Sequence, residues 1–223
     1  MIKGIIFDMD GTLLDSTPMW YTIGKKYLAA MGIKAAPGLD ATIHAMSLYQ
    51  AACYLRDEYH LDKSAEEIMA DINNMISSYY FKTPVLKPGA ADFIRFLAEK
   101  GIKMCIATAT DRPYVEAALE KCGIGKYFRE ILTCTEVGHG KDEPHIFRLA
   151  LEKLGTDREN TLIFEDSCYA VLTAVKDGFR VAGVYDSMEK RDVELKEAAE
   201  FYFNGFGEIP ESLITELNNK GKT

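Results

Sequence analysis

Past Pro88 the chain alternates short apolar runs with helical patterns, and few folds accept that alternation. Lys103–Ala107, Ile131–Thr133, Thr161–Phe164 and Val181–Tyr185 read as buried strands, and Phe201–Phe203 as a last short one. Between them lie helical stretches at 89–100, ended by Gly101, at 111–122, at 144–154, stopped by Gly155, and one ending near Gly178. A closing helix is expected at 210–219, followed by a polar tail, 218–223, that should fray. Strand–helix alternation of this kind implies a parallel sheet covered by helices on both faces.

One further apolar run, Ile2–Phe7, belongs to the same sheet although a long helical block separates it from the others. Met19, Ile23, Tyr27 and Met31 fall four apart after Asp15-Ser16-Thr17-Pro18, one stripe on a helix. A second helical segment follows Gly38 and Asp40 and runs to about Tyr59. A third starts near Ser64, with Glu67 completing a capping box and Ile68, Ile72, Met75, Ile76 and Tyr79 as its stripe. Pro84 and Pro88 then punctuate the chain. The expected architecture is α/β: a Rossmann-like parallel-sheet core from 1–15 and 85–223, with an all-α domain, 16–84, inserted after the first strand.

The 223 residues bound the answer to one domain, or one with an insertion. Apolar residues make up 48% and charged residues 27%, the balance of a soluble globular protein. A net charge of −8 lacks the basic face that a nucleic-acid binder needs. No apolar run approaches a membrane span or a leader peptide, since Asp8 and Asp10 interrupt the first one. The five cysteines form no Cys-x-x-Cys pair and sit among apolar residues, so buried free thiols and a cytoplasmic location are expected.

The chemistry-bearing residues collect where a parallel sheet puts them, at the carboxyl ends of strands. The first strand ends in Asp8-Met9-Asp10-Gly11-Thr12. Two ionised acids at the end of a buried strand are costly unless a cation sits beside them, and a hard divalent metal takes oxygen ligands. Gly11 lets the backbone turn just past the second acid, and the Thr12 hydroxyl is expected to satisfy free backbone groups there. The strand 103–107 delivers Thr108, and the strand 161–164 delivers Glu165, Asp166 and Ser167. Lys141 stands in a loop before the helix that opens at Pro144. Acids, one hydroxyl and one lysine at a common sheet edge suit a magnesium ion and a phosphate group, with Thr108 and Lys141 on the phosphate oxygens. Each piece alone has a bland reading: Lys141 as a solvated lysine, Thr108 as a loop hydroxyl, Glu165-Asp166 as a helix cap.

Taken in order, Asp-x-Asp-Gly-Thr, strand-Thr, Lys before a helix and strand-Glu-Asp-Ser resemble the haloacid dehalogenase superfamily of phosphohydrolases. The insertion after the first motif resembles its helical-cap branch, which contains β-phosphoglucomutase-like phosphatases. The resemblance implies a magnesium-dependent phosphatase acting on a small phosphorylated metabolite. By it Asp8 is the nucleophile that forms an aspartyl-phosphate, and Asp10 the general acid and then the base. Magnesium would be bound by Asp8, the Asp10 backbone carbonyl and Asp166, with Glu165 as a further ligand or supporting group. The 16–84 insertion would be a lid hinged near 14–18 and 82–88, with Trp20 a candidate for substrate recognition. Asp10 argues against dehalogenation, because true haloacid dehalogenases lack the second aspartate.

The chain also departs from the family pattern. The usual Gly-Lys-Pro-x-Pro-Asp run reads Gly140-Lys141-Asp142-Glu143-Pro144-His145, which puts Asp142 where it could pair with Lys141. Trp20 stands where β-phosphoglucomutases carry a histidine, and their sugar-phosphate arginine is missing around residues 47–49. A sugar phosphomutase is therefore the weaker enzymatic alternative. A non-catalytic phosphate-binding regulator is the other, and the intact Asp8, Asp10, Thr108, Lys141 and Asp166 speak against it.

Overall fold

The computed structural model describes residues 1–43, 46 and 48–218. Residue 47, and the tail from 219 that was expected to fray, lie outside the described residues. The elements run β1 (Gly4–Phe7), α1 (Thr17–Ala30), α2 (Leu39–Ile43), α3 (Leu48–Tyr59), α4 (Ala65–Lys82), α5 (Ala90–Glu99), β2 (Lys103–Thr108) and α6 (Arg112–Lys121). There follow β3 (Phe128–Thr133), α7 (Cys134–Val137), α8 (His145–Leu154), β4 (Thr161–Glu165), α9 (Cys168–Lys176), β5 (Arg180–Val184), α10 (Asp192–Ala198), β6 (Phe201–Phe203) and α11 (Glu211–Asn218). The chain divides into two compact units, Met1–Asp15 with Pro84–Thr223, and Ser16–Thr83. Among the described residues no helix is long and apolar enough to cross a membrane.

The first unit is a six-stranded sheet in the order β3-β2-β1-β4-β5-β6, with every pair parallel. This is a Rossmann-like α/β fold. β1 lies in the middle, beside β2 on one flank and β4 on the other. The strand order reverses there, so the connections leave in opposite directions and open a crevice at the strand ends.

Alternation along each strand sorts side chains between two helical layers. Ile6, Cys105, Ala107, Ile163 and Val181 face one way and pack with Ile146, Phe147, Ala150 and Leu154 of α8 and with Ala170, Val171 and Ala174 of α9. On the other face Phe7 packs against Phe164, and Phe93 of α5 and Phe206 close over Phe164 with ring centroids 5.6 and 6.2 Å away. Each fully buried side chain of this size contributes ~1.5–3 kcal/mol. The register pairs Phe7 with Phe164 and with Ile106, which brings the next residues, Asp8, Glu165 and Ala107, level at the sheet edge.

The two crossings out of this unit lie side by side. Asp15 N–H donates to the Val85 carbonyl and Lys87 N–H to the Leu13 carbonyl, both at 2.8 Å, around an antiparallel bridge between Leu14 and Leu86.

The second unit is helical. The α4 capping box forms in full: Glu67 N–H donates to Ser64 Oγ at 3.1 Å, and Ser64 N–H to Glu67 Oε2 at 2.7 Å. The buried face of α4 runs Ile68, Ile72, Ile76, Tyr80, whereas Met75 is exposed and Tyr79 half-buried. The stripe expected through Met75 and Tyr79 is displaced toward the i+4 side, because α4 packs against both α1 and α3. The α1 stripe is likewise partial: Ile23 and Tyr27 are buried, and Met31 is exposed past the helix end. The second helical segment, expected to run to about Tyr59, contains α2 and α3, and α3 ends at Tyr59.

Candidate active site

The end of β1 shapes the site. Asp8 N–H extends the sheet ladder by donating to the Phe164 carbonyl at 2.9 Å. The chain then doubles back at once: the N–H groups of Leu13 and Leu14 both donate to the Met9 carbonyl, at 2.9 and 2.8 Å. Gly11 carries φ +85°, a conformation that costs any residue with a Cβ about 1–2 kcal/mol. This turn drives Thr12 fully inside, where its hydroxyl donates to Asp166 Oδ1 at 2.7 Å. The hydroxyl thus serves the carboxylate of Asp166, the residue after β4, not the free backbone groups expected of it.

Asp8, Glu165 and Asp166 are all buried, and one carboxylate oxygen from each lies within 4.8 Å of the others. Lys141, equally buried, reaches in from the loop before α8. Its Nζ donates to Asp8 Oδ1 and, at 2.7 Å, to Glu165 Oε2. The other Glu165 oxygen accepts from Ser167 N–H at 3.2 Å. Asp142 is exposed, so the pairing with Lys141 considered from the sequence is replaced by these two buried partners.

Charge in this pocket is unbalanced. Burial and then the neighbouring Glu165 charge push the Asp8 carboxyl up to about 8, although Lys141 pulls the other way. Burial and the charges of Asp8 and Glu165 hold Asp166 well above the carboxylate range, against the opposing pull of Lys87 and the Thr12 hydrogen bond. Burial alone would lower Lys141, but the charges of Asp8 and Glu165 outweigh it and keep it protonated.

Asp10 stands half-buried just outside the trio, and its Oδ2 accepts from the Thr110 hydroxyl at 2.6 Å. Thr108 is buried at the end of β2, where its hydroxyl oxygen accepts from Thr110 N–H at 3.1 Å. Two residues passed over in the sequence complete the edge. Lys87 is buried, donates to the Tyr185 carbonyl at 2.7 Å and pairs with buried Asp186 at 3.3 Å. Asp186 follows the end of β5, so extending the strand-end reading by one residue past Tyr185 would have found it. Trp20, a recognition candidate, donates its indole N–H to Tyr80 Oη at 2.7 Å within the helical unit.

A family model of haloacid dehalogenase-like hydrolases matches residues 2–176. The chain belongs to that family. The phosphorylated carbohydrates phosphatase of Thermotoga maritima is 26% identical over 199 residues, 89% of this chain and 92% of its own. CbbY from Rhodobacter sphaeroides, solved in complex with phosphate, is 25% identical with a TM-score of 0.79 over 92% of this chain and 95% of its own. The β-phosphoglucomutase of Clostridium difficile has the same TM-score, 0.79, at 18% identity over 97% of each chain, a likeness of fold.

Within this haloacid dehalogenase-like hydrolase the donors that face one another are all carboxylate oxygens. An all-oxygen set could hold a hard divalent cation, and the two raised carboxyls mark the positive charge the pocket lacks. Both Glu165 oxygens are engaged, by Lys141 and by Ser167, whereas Asp8 and Asp166 each have one oxygen engaged, by Lys141 and by Thr12. An open hollow of about 460 Å³ on the helical unit, lined by Met46, Tyr49, Gln50, Cys53 and Tyr54, includes none of these acids.

Proposed function

We propose that this chain, a phosphomonoester hydrolase by family, removes the phosphoryl group from a small phosphorylated metabolite, with magnesium as cofactor and Asp8 as nucleophile. The observation that carries the reading is the charge deficit at Asp8. A carboxylate attacks phosphorus only when ionised, and burial and the Glu165 charge push the Asp8 carboxyl up while Lys141 alone pulls strongly the other way. Asp8, the Asp10 backbone carbonyl and Asp166 would hold a magnesium ion, which would supply the remaining positive charge and offset that of the phosphate.

The residues then divide the work. An Asp8 oxygen bonds to phosphorus as the ester oxygen leaves, and that oxygen takes its proton from the Asp10 carboxylic acid. Asp10, now a carboxylate, accepts a proton from the water that attacks the aspartyl-phosphate, which returns Asp8 and releases phosphate. The Thr110 hydroxyl fixes the Asp10 carboxyl through its 2.6 Å hydrogen bond. Lys141, already beside Asp8, and the Thr108 hydroxyl are the donors for phosphate oxygens. We read the helical unit, 16–84, as the part that recognises the rest of the substrate. We place the enzyme in the cytoplasm, where its five free thiols would stay reduced.

Phosphate release from a panel of phosphorylated metabolites, with magnesium and with EDTA, tests the reading. Turnover should need the metal and should vanish in Asp8→Asn, whose fold should persist because a neutral group replaces a carboxyl already pushed toward neutrality. Metal-independent turnover, or an active Asp8→Asn variant, would overturn it.

A further inference from the structure

We propose that His139, Glu143 and His145 form a second metal site, at the protein surface, for a borderline divalent cation of the zinc class. The three residues flank Lys141 on its loop, and two of them, Glu143 and His145, belong to the run that departs from the family pattern. Both imidazoles turn Nδ1 toward the same carboxylate oxygen: Glu143 Oε2 lies 3.0 Å from His139 Nδ1 and 3.1 Å from His145 Nδ1. The two rings stack with centroids 4.0 Å apart and planes 11° from parallel. All three donor atoms fall within 4.8 Å of one another.

The two nitrogen–oxygen separations match a coordination sphere. Ligand atoms about 2.0–2.1 Å from a tetrahedral zinc sit roughly 3.3 Å apart. A cation taken up beside Glu143 Oε2 would need the two exposed rings to rotate out of their stack, so that each Nδ1 lone pair points at the ion. The side chains are 43–51% exposed, so the position is reachable and a fourth ligand can be water.

Ligand chemistry separates this site from the pocket around Asp8. Two nitrogens and one oxygen favour zinc, copper or nickel, whereas the carboxylate pocket favours a hard ion. Charge has to be weighed, because His145 opens α8 and a helix N-terminus disfavours cations. Glu143 and the exposed Asp142 outweigh that partial charge, and the loop's lysine is buried and already paired with Asp8 and Glu165. The inference does not depend on the phosphatase mechanism.

The test uses the full-length protein, stripped with EDTA and titrated calorimetrically with zinc chloride in the presence of excess magnesium. The parent should bind one zinc that magnesium does not displace. A His139→Gln/His145→Gln double variant should bind it at least tenfold more weakly, and Asp166→Asn should retain it. Unchanged zinc uptake in the double variant, displacement by magnesium, or loss in Asp166→Asn would overturn the proposal. Should the double variant fail to fold, imidazole NMR of the parent decides. Zinc must shift the His139 and His145 resonances, and their invariance refutes the site.

Discussion

Thr12→Val isolates the support that orients Asp166. The substitution keeps the shape of a side chain that is 0% exposed, so almost no cavity forms, and it deletes one hydroxyl donor, 2.7 Å from Asp166 Oδ1. A hydrogen bond to a charged acceptor contributes about 1.5–3 kcal/mol. Without metal the loss should be smaller, about 1 kcal/mol, because Asp166 is held well above its usual range and can meet the loss by keeping its proton. With metal bound Asp166 has to be ionised, and the full loss, about 2 kcal/mol, applies. The difference falls on metal binding. That difference, about 1 kcal/mol, corresponds to a rise of roughly 5-fold in the magnesium concentration for half-maximal turnover. Phosphate release against magnesium concentration gives that shift, and thermal melts with and without magnesium give the two stabilities. The stabilisation by magnesium should shrink in Thr12→Val. Superimposable titrations would refute the argument, and so would a fall in kcat at saturating metal with no shift in the midpoint.

Asp166→Ala should shift the same titration further than Thr12→Val, because the carboxylate itself is gone; an equal or smaller shift would refute the proposed metal role of Asp166. Asp177, half-buried between Arg148 and Arg158, has its carboxyl lowered to about 2, chiefly by the Arg148 hydrogen bond. A lowered pKa contributes stability above pH ~4 that is lost as the pH falls toward 2. Because Arg148 is exposed and Arg158 only half-buried, both are screened, and Asp177→Asn should cost only about 1 kcal/mol in urea unfolding at pH 7, with the gap closing in acid; a gap that widens in acid would reverse the sign. Gly89 has φ +82°, and a Cβ there would come within 3.0 Å of the backbone at both Gly207 N and Phe206 C. Gly89→Ala should therefore cost about 2–4 kcal/mol, and a loss under ~0.5 kcal/mol would show that the 206–207 segment yields freely.

The sheet was legible because its strands are buried on both faces, so Ile5-Ile6-Phe7 and Leu162-Ile163-Phe164 stand out as unbroken apolar runs. The carboxylates were legible because a parallel sheet gathers residues from strand ends, wherever those ends lie in the chain. Short elements were not. α7 has four residues and α10 seven, too few for a helical period to declare itself. The α4 stripe was found but turned, because which side of an amphipathic arc is buried depends on neighbours the local sequence does not name. All five thiols were expected to be buried, yet Cys53, Cys122 and Cys134 are half-buried, since apolar neighbours in sequence need not be neighbours in space.

Hydrogen-bond partners set a firmer limit than elements do. Thr12 reads locally as a turn hydroxyl, and a turn hydroxyl ordinarily serves backbone within two or three residues. Its acceptor is 154 residues away. The same holds for Lys141, whose sequence neighbour Asp142 offered the obvious pairing while its partners lie 133 and 24 residues off. In both cases burial decides. A lysine that leaves water must find carboxylates that have left it too, since an exposed Asp142 cannot compensate a charge held inside. Asp8, Thr12, Lys141, Glu165 and Asp166 are thus matched at the switch point between β1 and β4, and that matching follows from the strand order, which no local pattern contains.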